Sequence, residues 1–582
     1  MSSVRGGRKE GTALDTRSFH MDDPHPDRPR EPLRRTLFPL AIVFLLSYLI
    51  LFLGMSREPN VYDEGLVLTA AMRVAAGQIP HRDFYANYGP AQFYILAGLF
   101  KTFGEYLLVE RLYDLLIKAL LATAVYAIVL PYCHKFIAAM TSAAAVLWII
   151  CVNGLAGTPV IPVSLLNLLA LALVLPVFWR GVSTTRLLAA GAVAGMAALF
   201  RYDTGVALLG IQTCVIAVAI FFWRAEKNLR VLLSTLVPCF AAFAGVVLPF
   251  ALSYLSVAPL HAIVYDILLY PAKFYHRGRN LPLPAISLKY FQNFEVYLLI
   301  PLIAVALYVA VAGRFRSRQL GVDETPGEPR WQGFLVTFGL LALVMYFKGI
   351  VRMEIPQMYL CIIPSLLLIA VLFEQRMAFS RFLRISVMGL VSLSVLTVTF
   401  AILHEIKRLQ VYHFSVPERL VESLTGTASD IEVEWCQTSN ALTRGFCFLA
   451  DDERIEAIEF IDSHTAPGQR LYVGLPNHDR IFANDNLTYF ATQRLPATMW
   501  SHFDPGLQNS YAIQAQMVRE LQAAAPPYIV LDAEWDTTRE PNDSAISTGV
   551  RLLDDYLHKT YQPTTSFGTI SIYQRIPSSS TQ

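Results

Sequence analysis

Eleven apolar runs, each close to the length that crosses a lipid bilayer, constrain this chain more than any other feature of its sequence. They lie near residues 36–54, 109–131, 136–153, 160–179, 187–200, 204–223, 231–257, 294–313, 332–347, 355–373 and 382–403. A helix needs about 20 mostly apolar residues to span the hydrocarbon core, so the runs predict eleven membrane-spanning helices. Composition agrees, because only 16% of the residues are charged, whereas soluble domains carry roughly 25%. The run at 90–103 is amphipathic and too short to cross, so we place it outside the lipid core.

The distribution of Lys and Arg among the short loops predicts the orientation of these helices. With the N-terminus in the cytoplasm, the short inner loops contain Lys135, Arg180, Arg186, Arg224, Lys227, Arg230, Arg314, Arg316, Arg318, Arg330, Arg376, Arg381 and Arg384. The short outer loops contain only Arg201, Lys348 and Arg352. Cytoplasmic loops carry the excess of positive residues. This orientation places three large segments outside, namely residues 55–108, residues 259–293 and everything after about residue 404.

Three parts of the chain differ in composition. Residues 1–35 are polar and rich in Arg and Pro, which predicts a disordered cytoplasmic tail. Residues 36–404 form the membrane domain. Residues 405–582 have the composition of a soluble domain, with helical patterns near 451–463 and 510–524 that alternate with strand-like runs at 471–474, 528–531 and 569–573. The fold class predicted is a polytopic α-helical membrane protein with a small C-terminal α/β domain outside the membrane.

Two cysteines, Cys436 and Cys447, lie in this outer domain and far from any apolar run. An oxidising compartment favours a disulfide between them. Their separation in space does not follow from the sequence, so a reduced pair is an equal alternative.

Ionisable residues are almost absent from the hydrophobic depth of the runs and collect at their outer ends. They are Asp63, Glu64, Asp83, Glu110, Arg111, Asp114, Lys118, Arg201, Asp203, Lys273, Arg277, Arg279, Lys348, Arg352 and Glu354. A transporter holds its polar groups near the midplane, on broken helices, so this pattern favours chemistry at the outer water–lipid boundary. The sequence has no GxxxxGK[ST], no strand-borne GxGxxG and no HExxH motif, so nucleotide binding and zinc proteolysis lack support, and no nucleic-acid partner is expected.

These clusters also have structural interpretations. Asp63 lies where a helix N-cap belongs, and Glu64 would then be a first-turn acid that faces the helix dipole. Lys273, Arg277 and Arg279 lie in one short run with the aromatic residues Tyr270, Phe274 and Tyr275. They suit either the anionic headgroups of membrane lipids or a phosphate that carries a lipid tail.

The first outer loop resembles that of a known family. The acidic pair Asp63-Glu64 follows the first apolar run, a short amphipathic helix comes next, and then the Gly- and Pro-containing segment 82–90 and Arg111 near the start of the second run. This layout resembles the GT-C membrane glycosyltransferases, and within them the bacterial branch around the lipid A aminoarabinose transferase and the protein O-mannosyltransferases. The resemblance is most specific over residues 60–111. Gly65 departs from relatives that have a larger residue after the pair, which leaves the acceptor open.

The resemblance implies that a sugar moves from a polyprenyl-phosphate donor to an acceptor hydroxyl at the outer face of the membrane. In the family a carboxylate of the acidic pair is the catalytic group, which corresponds to Asp63 here, with Glu64 as the second candidate. A lipid phosphate leaves as a stable anion and needs no acid, so one base and several cations suffice. Direct displacement would invert the anomeric centre. The acceptor is a glycan, a lipid or a protein.

Further residues are assigned to the same expected site. The cations expected to hold the donor phosphate are Lys273, Arg277, Arg279, Arg201 and Arg352. The candidates for contact with the sugar or the acceptor are Tyr62, Asp83, Tyr85 and Tyr88, and Asp83 is the alternative base if Asp63 only caps its helix. No cofactor is certain, although Asp63, Glu64 and Asp83 could hold a divalent metal ion.

Two other functions are left open by the sequence. A lipid-linked polysaccharide polymerase or ligase also places large outer loops over a membrane body, but its donor is a pyrophosphate-linked glycan. A lipid transporter or flippase would show two sets of helices related by a repeat, with polar residues at mid-depth, and the sequence shows neither. The branch resembled makes a bacterial inner membrane the expected location.

Overall fold

The computed structural model of the chain describes residues 33–55, 59–151, 157–179, 181–224, 228–287, 291, 293–320, 328–353, 358–412 and 452–577. The chain divides into two compact units, residues 1–39 and 40–582. Within the smaller unit, the structure describes only the start of the first helix. The predicted disulfide between Cys436 and Cys447 lies outside the described residues. The domain boundaries expected near residues 36 and 405 stay predictions.

The described residues are mostly helical. The helices are α1 (Leu33–Leu53), α2 (Asp63–Ala75), α3 (Pro90–Phe103), α4 (Leu107–Val129), α5 (Lys135–Cys151), α6 (Val160–Val174), α7 (Thr184–Phe200), α8 (Tyr202–Val218), α9 (Leu229–Val257), α10 (Leu260–Val264), α11 (His276–Arg279), α12 (Phe294–Leu320), α13 (Glu328–Gly349), α14 (Tyr359–Glu374), α15 (Arg381–Tyr412), α16 (Asp452–His464), α17 (Leu487–Thr492), α18 (Tyr511–Ala524) and α19 (Leu552–Thr560). Short 3₁₀ and π turns extend α6 to Phe178 and α8 to Trp223.

Each predicted apolar run coincides with one of these helices, namely α1, α4 to α9 and α12 to α15. Seven of them, within the described ranges, are long and apolar enough to cross a membrane: α4, α6 and α8 with their extensions, α9, α12, α13 and α15. The other four, α1, α5, α7 and α14, are apolar but shorter. The chain is therefore an integral membrane protein, and the count of eleven spans stays a prediction.

The membrane helices pack around one apolar core. Leu121, Leu171 and Phe338, on three different helices, have no exposed surface. Small residues allow close approach between helices in a membrane bundle. A Cβ on Gly195 of α7 would lie 2.9 Å from Cβ of Val246 on α9, so this contact requires glycine.

The C-terminal region contains a four-stranded sheet, which confirms the predicted α/β class. Its strands are β1 (Tyr472–Gly474), β2 (Tyr528–Asp532), β3 (Tyr561–Phe567) and β4 (Ile570–Arg575), in the spatial order β1-β2-β4-β3. β1 and β2 are parallel, and β4 runs antiparallel to both of its neighbours. Parallel neighbours need a long crossover connection, and α17 and α18 lie in that connection.

Helices α2 and α3 pack against this sheet region and share its core. Leu68 on α2 and Phe100 on α3 belong to the same buried cluster as Val473 on β1 and Val530 on β2. The backbone oxygen of Val61 also accepts hydrogen bonds from two consecutive N–H groups at the start of α17 (3.0 and 3.2 Å). The first large loop and the C-terminal region therefore form one packed body, which composition alone did not predict.

Several other loops meet this body at the same end of the bundle. The N–H of Gly89 donates to the backbone oxygen of Phe200 (2.9 Å), and the N–H of Leu281 donates to that of Val351 (3.2 Å). The first large loop thus contacts the end of α7, and the second large loop contacts the turn after α13. Residues from distant parts of the sequence converge there.

Candidate active site at the start of helix α2

The side chain of Asn60 caps helix α2. Its Oδ1 accepts hydrogen bonds from the backbone N–H groups of Tyr62 (3.0 Å) and Asp63 (2.8 Å), which a helix N-terminus otherwise leaves without partners. Asp63 is the first residue of the helix, so the alternative interpretation of Asp63 as the N-cap is wrong. Its carboxylate has no part in capping.

The Asp63 carboxylate is half-buried at the first turn of α2. It has no hydrogen-bond partner in the part of the chain that the structure describes. Burial raises the pKa of Asp63 to about 6, although the positive charges of Arg279, His502 and Arg352 oppose the rise. A carboxyl group with this pKa is ionised at neutral pH and is a stronger base than an exposed aspartate.

Glu64, the neighbouring acid, lies in a different environment. Its side chain is fully buried, and the Arg111 guanidinium meets both of its oxygens, with Nε 2.6 Å from Oε1 and Nη2 2.7 Å from Oε2. The N–H of Asn60 also donates to Oε2 (2.9 Å). Consecutive residues on a helix point about 100° apart, so one acid faces the interior while the other is accessible. The Glu64–Arg111 pair ties α2 to α4.

Arg279 reaches the site from the second large loop. Its Nε and Nη2 donate to Oδ1 of Asp504 (3.0 and 2.6 Å), and Nη2 also donates to the Tyr62 hydroxyl (3.0 Å). Tyr62 in turn donates to the backbone oxygen of Phe503 (2.8 Å). The Arg279 guanidinium holds the pKa of Asp504 well below its usual range. A buried cation is therefore fixed beside the residue that precedes Asp63.

Aromatic rings line the same region. Tyr85 is buried, is stacked on Trp500 with ring centroids 5.6 Å apart, and has its ring centroid 5.3 Å from that of His502. The buried Tyr85 hydroxyl has no hydrogen-bond partner within the described ranges. Tyr88 is half-buried, and the Arg201 guanidinium lies 5.7 Å from the centre of its ring. The rings pack together around the Tyr85 hydroxyl.

The remaining predicted cations differ in how they are held. Arg352 makes two hydrogen bonds to the carboxylate of Glu540 (3.0 and 2.6 Å). Nε of Arg201 lies 3.5 Å from one oxygen of Asp203, and Lys348 pairs with the other oxygen. Two cations thus share one carboxylate in the turn between α7 and α8. Lys348 reaches this carboxylate from the end of α13.

Lys273 and Arg277 do not join this group. Both side chains are exposed, and Nζ of Lys273 lies 5.1 Å from the centre of the Phe274 ring. Neither pairs with a carboxylate among the described residues. Of the five predicted phosphate-binding cations, the structure places Arg279 and Arg352 in ion pairs, Arg201 in a looser pair, and these two at the surface.

The acids proposed for a metal ion do not converge. Asp83 pairs with Arg82 (2.7 Å) and accepts the backbone N–H of Ile79 (2.8 Å), so it stabilises the turn after α2. Glu64 is engaged by its buried ion pair. In the ranges that the structure describes, no group of three His, Cys, Asp or Glu side chains could hold a metal ion.

Three contributors to the site were not predicted from the sequence. Asn60 carries a local signal, because Asn is a preferred cap ahead of a helix. His502 and Asp504 carry none, since Asp504 lies 442 residues from Tyr62 along the chain. Only the tertiary fold brings them together.

The apolar helices and the sheet region packed on the first loop define a helical membrane protein with an α/β region beside its membrane helices. Comparison with solved structures supports this class. ArnT from Cupriavidus metallidurans in the apo state is 14% identical, with a TM-score of 0.51 and coverage of 94% of this chain and 98% of that chain. The same protein bound to undecaprenyl phosphate is 14% identical, with a TM-score of 0.50 and coverage of 94% and 99%.

An archaeal oligosaccharyltransferase from Archaeoglobus fulgidus is also similar, at 12% identity and a TM-score of 0.48, with coverage of 93% of this chain and 75% of that chain. No protein-family model and no curated protein sequence matches the chain. The resemblance to GT-C proteins is confirmed at the level of the fold, because identities this low show the fold alone.

Proposed function

We propose that this chain is a membrane glycosyltransferase that moves a sugar from a polyprenyl-phosphate donor to an acceptor hydroxyl. The observation that carries the proposal is the Asp63 carboxylate, which is accessible, has a raised pKa and lies beside Arg279 in its fixed orientation. The ArnT structure with undecaprenyl phosphate bound supports a lipid phosphate as the leaving group. The outer face of a bacterial inner membrane, with the N-terminus in the cytoplasm, is the location we propose.

In this mechanism Asp63 acts as the general base. Its carboxylate accepts the proton of the acceptor hydroxyl while the hydroxyl oxygen attacks the anomeric carbon. The bond between that carbon and the phosphate oxygen breaks, and the polyprenyl phosphate leaves as an anion that needs no proton. Attack opposite the leaving group inverts the anomeric centre. Fixed positive charge near the departing phosphate stabilises the transition state.

The ion pairs suggest how the other residues divide the work. Arg201 has only a loose pair with Asp203 (3.5 Å), so its guanidinium is the better match for the donor phosphate. Arg279 orients Tyr62 beside Asp63, and Arg352 is engaged by Glu540. We assign Glu64 to holding its buried arginine rather than to chemistry.

The remaining predicted residues take outer positions in this scheme. Lys273 and Arg277, both exposed, suit contact with anionic headgroups. Tyr85 and Tyr88 line the space for the sugar or the acceptor. Asp83 belongs to the turn after α2, and we give it no catalytic role.

The test is sugar transfer by the Asp63→Asn variant. Purified protein is supplied with a polyprenyl-phosphate sugar and with membranes of the host as the source of acceptor, and mass spectrometry follows the donor lipid. Loss of a general base costs about 100-fold or more, so the variant should be that much slower. Asp83→Asn, in the same loop, should stay within about tenfold of the parent, well short of the loss of a base.

Two outcomes would reject the assignment. Asp63→Asn could retain activity close to that of the parent, or Asp83→Asn could show the larger loss. The lipid that is consumed also separates the main alternative, because a polymerase or ligase would leave the monophosphate donor intact and consume a pyrophosphate-linked glycan lipid from the membranes.

A further inference from the structure

A polar cleft lies at the carboxyl ends of the two parallel strands in the C-terminal region. β1 ends at Gly474 and β2 ends at Asp532. The cleft is shallow and open to solvent, with about 20 Å³ of enclosed space, and it is lined by the loops that follow these strands, at 475–482 and 535–544. Open α/β sheets bind ligands outside the carboxyl ends of their parallel strands. The topology therefore places a binding site here independently of the membrane helices.

The lining residues indicate the class of ligand. Asp479 and Asp536 balance Arg480 and Arg539, and the half-exposed indole of Trp535 completes the lining on one side. Balanced charge does not suit a phosphate, and so polar a surface does not suit a lipid tail. The hydroxyls of a sugar ring both donate and accept hydrogen bonds, and the apolar face of the ring packs on an aromatic side chain. A cleft this shallow does not enclose a ligand, so a sugar ring would lie on its surface against the Trp535 indole.

The first loop of the cleft is held in place from beneath. His478 has no exposed surface, and its Nδ1 lies 2.6 Å from Oδ1 of Asp554 while its Nε2 lies 2.7 Å from the Tyr472 hydroxyl. The backbone oxygen of Asp479 accepts the N–H of Thr548 (2.9 Å). Because this loop is already held in place, ligand binding does not have to order it, and little conformational entropy is lost.

The cleft borders the candidate active site. Phe482 is part of its lining, and the Arg279 guanidinium lies 5.7 Å from the centre of the Phe482 ring. The second loop of the cleft also carries Glu540, which binds Arg352, and Asn542, whose side chain donates to the backbone oxygen of Asn280 (2.9 Å). A molecule in the cleft would therefore lie close to Arg279, which also contacts Tyr62.

We propose that this cleft binds a sugar unit of a glycan acceptor. That the bound sugar belongs to the acceptor rests on the proposed function. Binding of a neutral sugar at Trp535 is inferred from the cleft alone. The bound unit is not the one that reacts. It holds a neighbouring unit so that its hydroxyl can approach Asp63, and no bond forms or breaks in the cleft.

The experiment measures sugar binding to the full-length protein in a detergent that has no sugar headgroup. Saturation-transfer NMR is recorded with glucose, mannose, galactose, N-acetylglucosamine and their disaccharides at about 10 mM, which fills sites with a Kd near 1 mM. At least one of them should receive saturation. Trp535→Ala should abolish this signal, and Asn477→Ala, at an exposed lining position, should weaken binding about tenfold, or 1.4 kcal/mol.

Matched controls make the result decisive. Tyr511→Ala removes an exposed aromatic side chain on α18, outside the cleft lining, and should leave binding unchanged. Inorganic phosphate should not compete with the sugar. The proposal is overturned if none of these sugars binds, if binding survives in both cleft variants, or if phosphate displaces the sugar.

Asp63→Asn separates this proposal from the proposed function. The Asp63→Asn variant should bind sugar like the parent while it loses transfer. If that variant transfers sugar at the full rate while sugar binding still depends on Trp535, the assignment of Asp63 as the base is rejected and the sugar-binding cleft is retained. If that variant loses transfer while sugar binding does not depend on Trp535, the base is retained and the sugar-binding cleft is rejected.

Discussion

At the scale of single residues, the two acids that open α2 show how one helical turn can serve two purposes. Glu64 points into the body and meets Arg111 with both oxygens. Asp63 points to an accessible space, and Asn60 supplies the cap that the helix needs. Because capping and ion pairing are provided by other groups, the Asp63 carboxylate stays available as a base.

The first prediction concerns the pH dependence of transfer. Burial raises the pKa of Asp63 to about 6, and only the ionised form accepts a proton. We therefore expect kcat/KM to be level above pH 7 and to fall about tenfold per pH unit below about pH 6. The donor is a phosphodiester that does not titrate in this range, so the fall reports the enzyme. A profile that stays level down to about pH 5, where an ordinary aspartate is still ionised, would contradict the assignment.

The second prediction compares the stability of variants at the two acids. Glu64→Gln leaves the buried guanidinium of Arg111 without its charged partner, and breaking a buried ion pair from one side costs about 3–5 kcal/mol. The unfolding temperature in detergent, measured at a fixed heating rate, should fall clearly. Glu110, whose nearer oxygen lies 3.7 Å from Nε of Arg111, keeps part of the charge balance, so we expect a loss at the lower end of this range.

Asp63→Asn is the matched control for that measurement. The folded pKa of about 6 lies above the ordinary value of 3.8, so the ionised carboxylate destabilises the fold above pH 6, and this cost disappears below about pH 4. At pH 7.5 the neutral amide should leave the unfolding temperature unchanged or raise it. If Asp63→Asn lowers the unfolding temperature more than Glu64→Gln does, then Asp63 and not Glu64 is the acid with the structural role, and our assignment is wrong.

How much of this site the sequence could predict depends on the range of each signal. Asp63 follows the first apolar run directly, and that local position, together with the resemblance, identified it. The partners of Arg279 gave no signal, because Asp504 lies 225 residues away from it in a loop without a motif. The exposed Lys273 has the same composition signal as the buried Arg279, and only packing distinguishes them.

At the scale of elements, the position of α2 depends on a close contact with α17. A Cβ on Gly65 would lie 2.6 Å from the backbone nitrogen of Leu487. One helical turn further on, the Thr69 hydroxyl donates to the backbone oxygen of Asn486 (2.7 Å). The small residue after the acidic pair is thus explained by the helix that packs on it.

The third prediction is a loss of stability in Gly65→Ala. The added methyl group cannot be accommodated without moving the backbone of α17, and overpacking of this kind costs about 1–3 kcal/mol. The unfolding temperature should fall, and transfer should fall as well because Asp63 moves with α2.

Gly98→Ala on α3 is the control for that variant. A Cβ there would meet nothing within 4 Å, and replacing a helical glycine by alanine gains about 0.5–1 kcal/mol. Gly98→Ala should therefore be neutral or slightly stabilising. Equal losses in the two variants would show that the contact between α2 and α17 is not what requires glycine.

The sequence predicted the membrane helices well because a bilayer demands a long apolar stretch. The sequence predicted less well where these helices end, because some of them continue past the apolar run. The run at 382–403 lies within a helix that continues to Tyr412, and the run at 294–313 lies within one that continues to Leu320. Backbone hydrogen bonding carries a helix on into water, where apolar composition no longer marks it.

At the scale of the whole molecule, the sheet region is completed by the first loop. Composition marked a soluble domain after residue 405, because the density of charged residues changes there. It did not show that the apolar faces of α2 and α3 cover the sheet, since a face buried against protein looks like a face buried in lipid. The candidate active site lies along this contact, so its geometry depends on both parts.

The fourth prediction tests that dependence by hydrogen exchange in the full-length protein. Leu68 on α2 has no exposed surface and shares a cluster with Val473 and Val530 on the sheet. Leu68→Ala removes a buried side chain at a cost of about 2–5 kcal/mol, and if the core is shared, the amides of β1 and β2 should exchange faster along with those of α2. Leu171→Ala on α6, which is equally buried but belongs to the membrane core, should leave the strands protected. Faster exchange confined to α2 after Leu68→Ala would mean that the sheet holds its own core, and α2 would then have to be fixed by its ion pair with α4 instead.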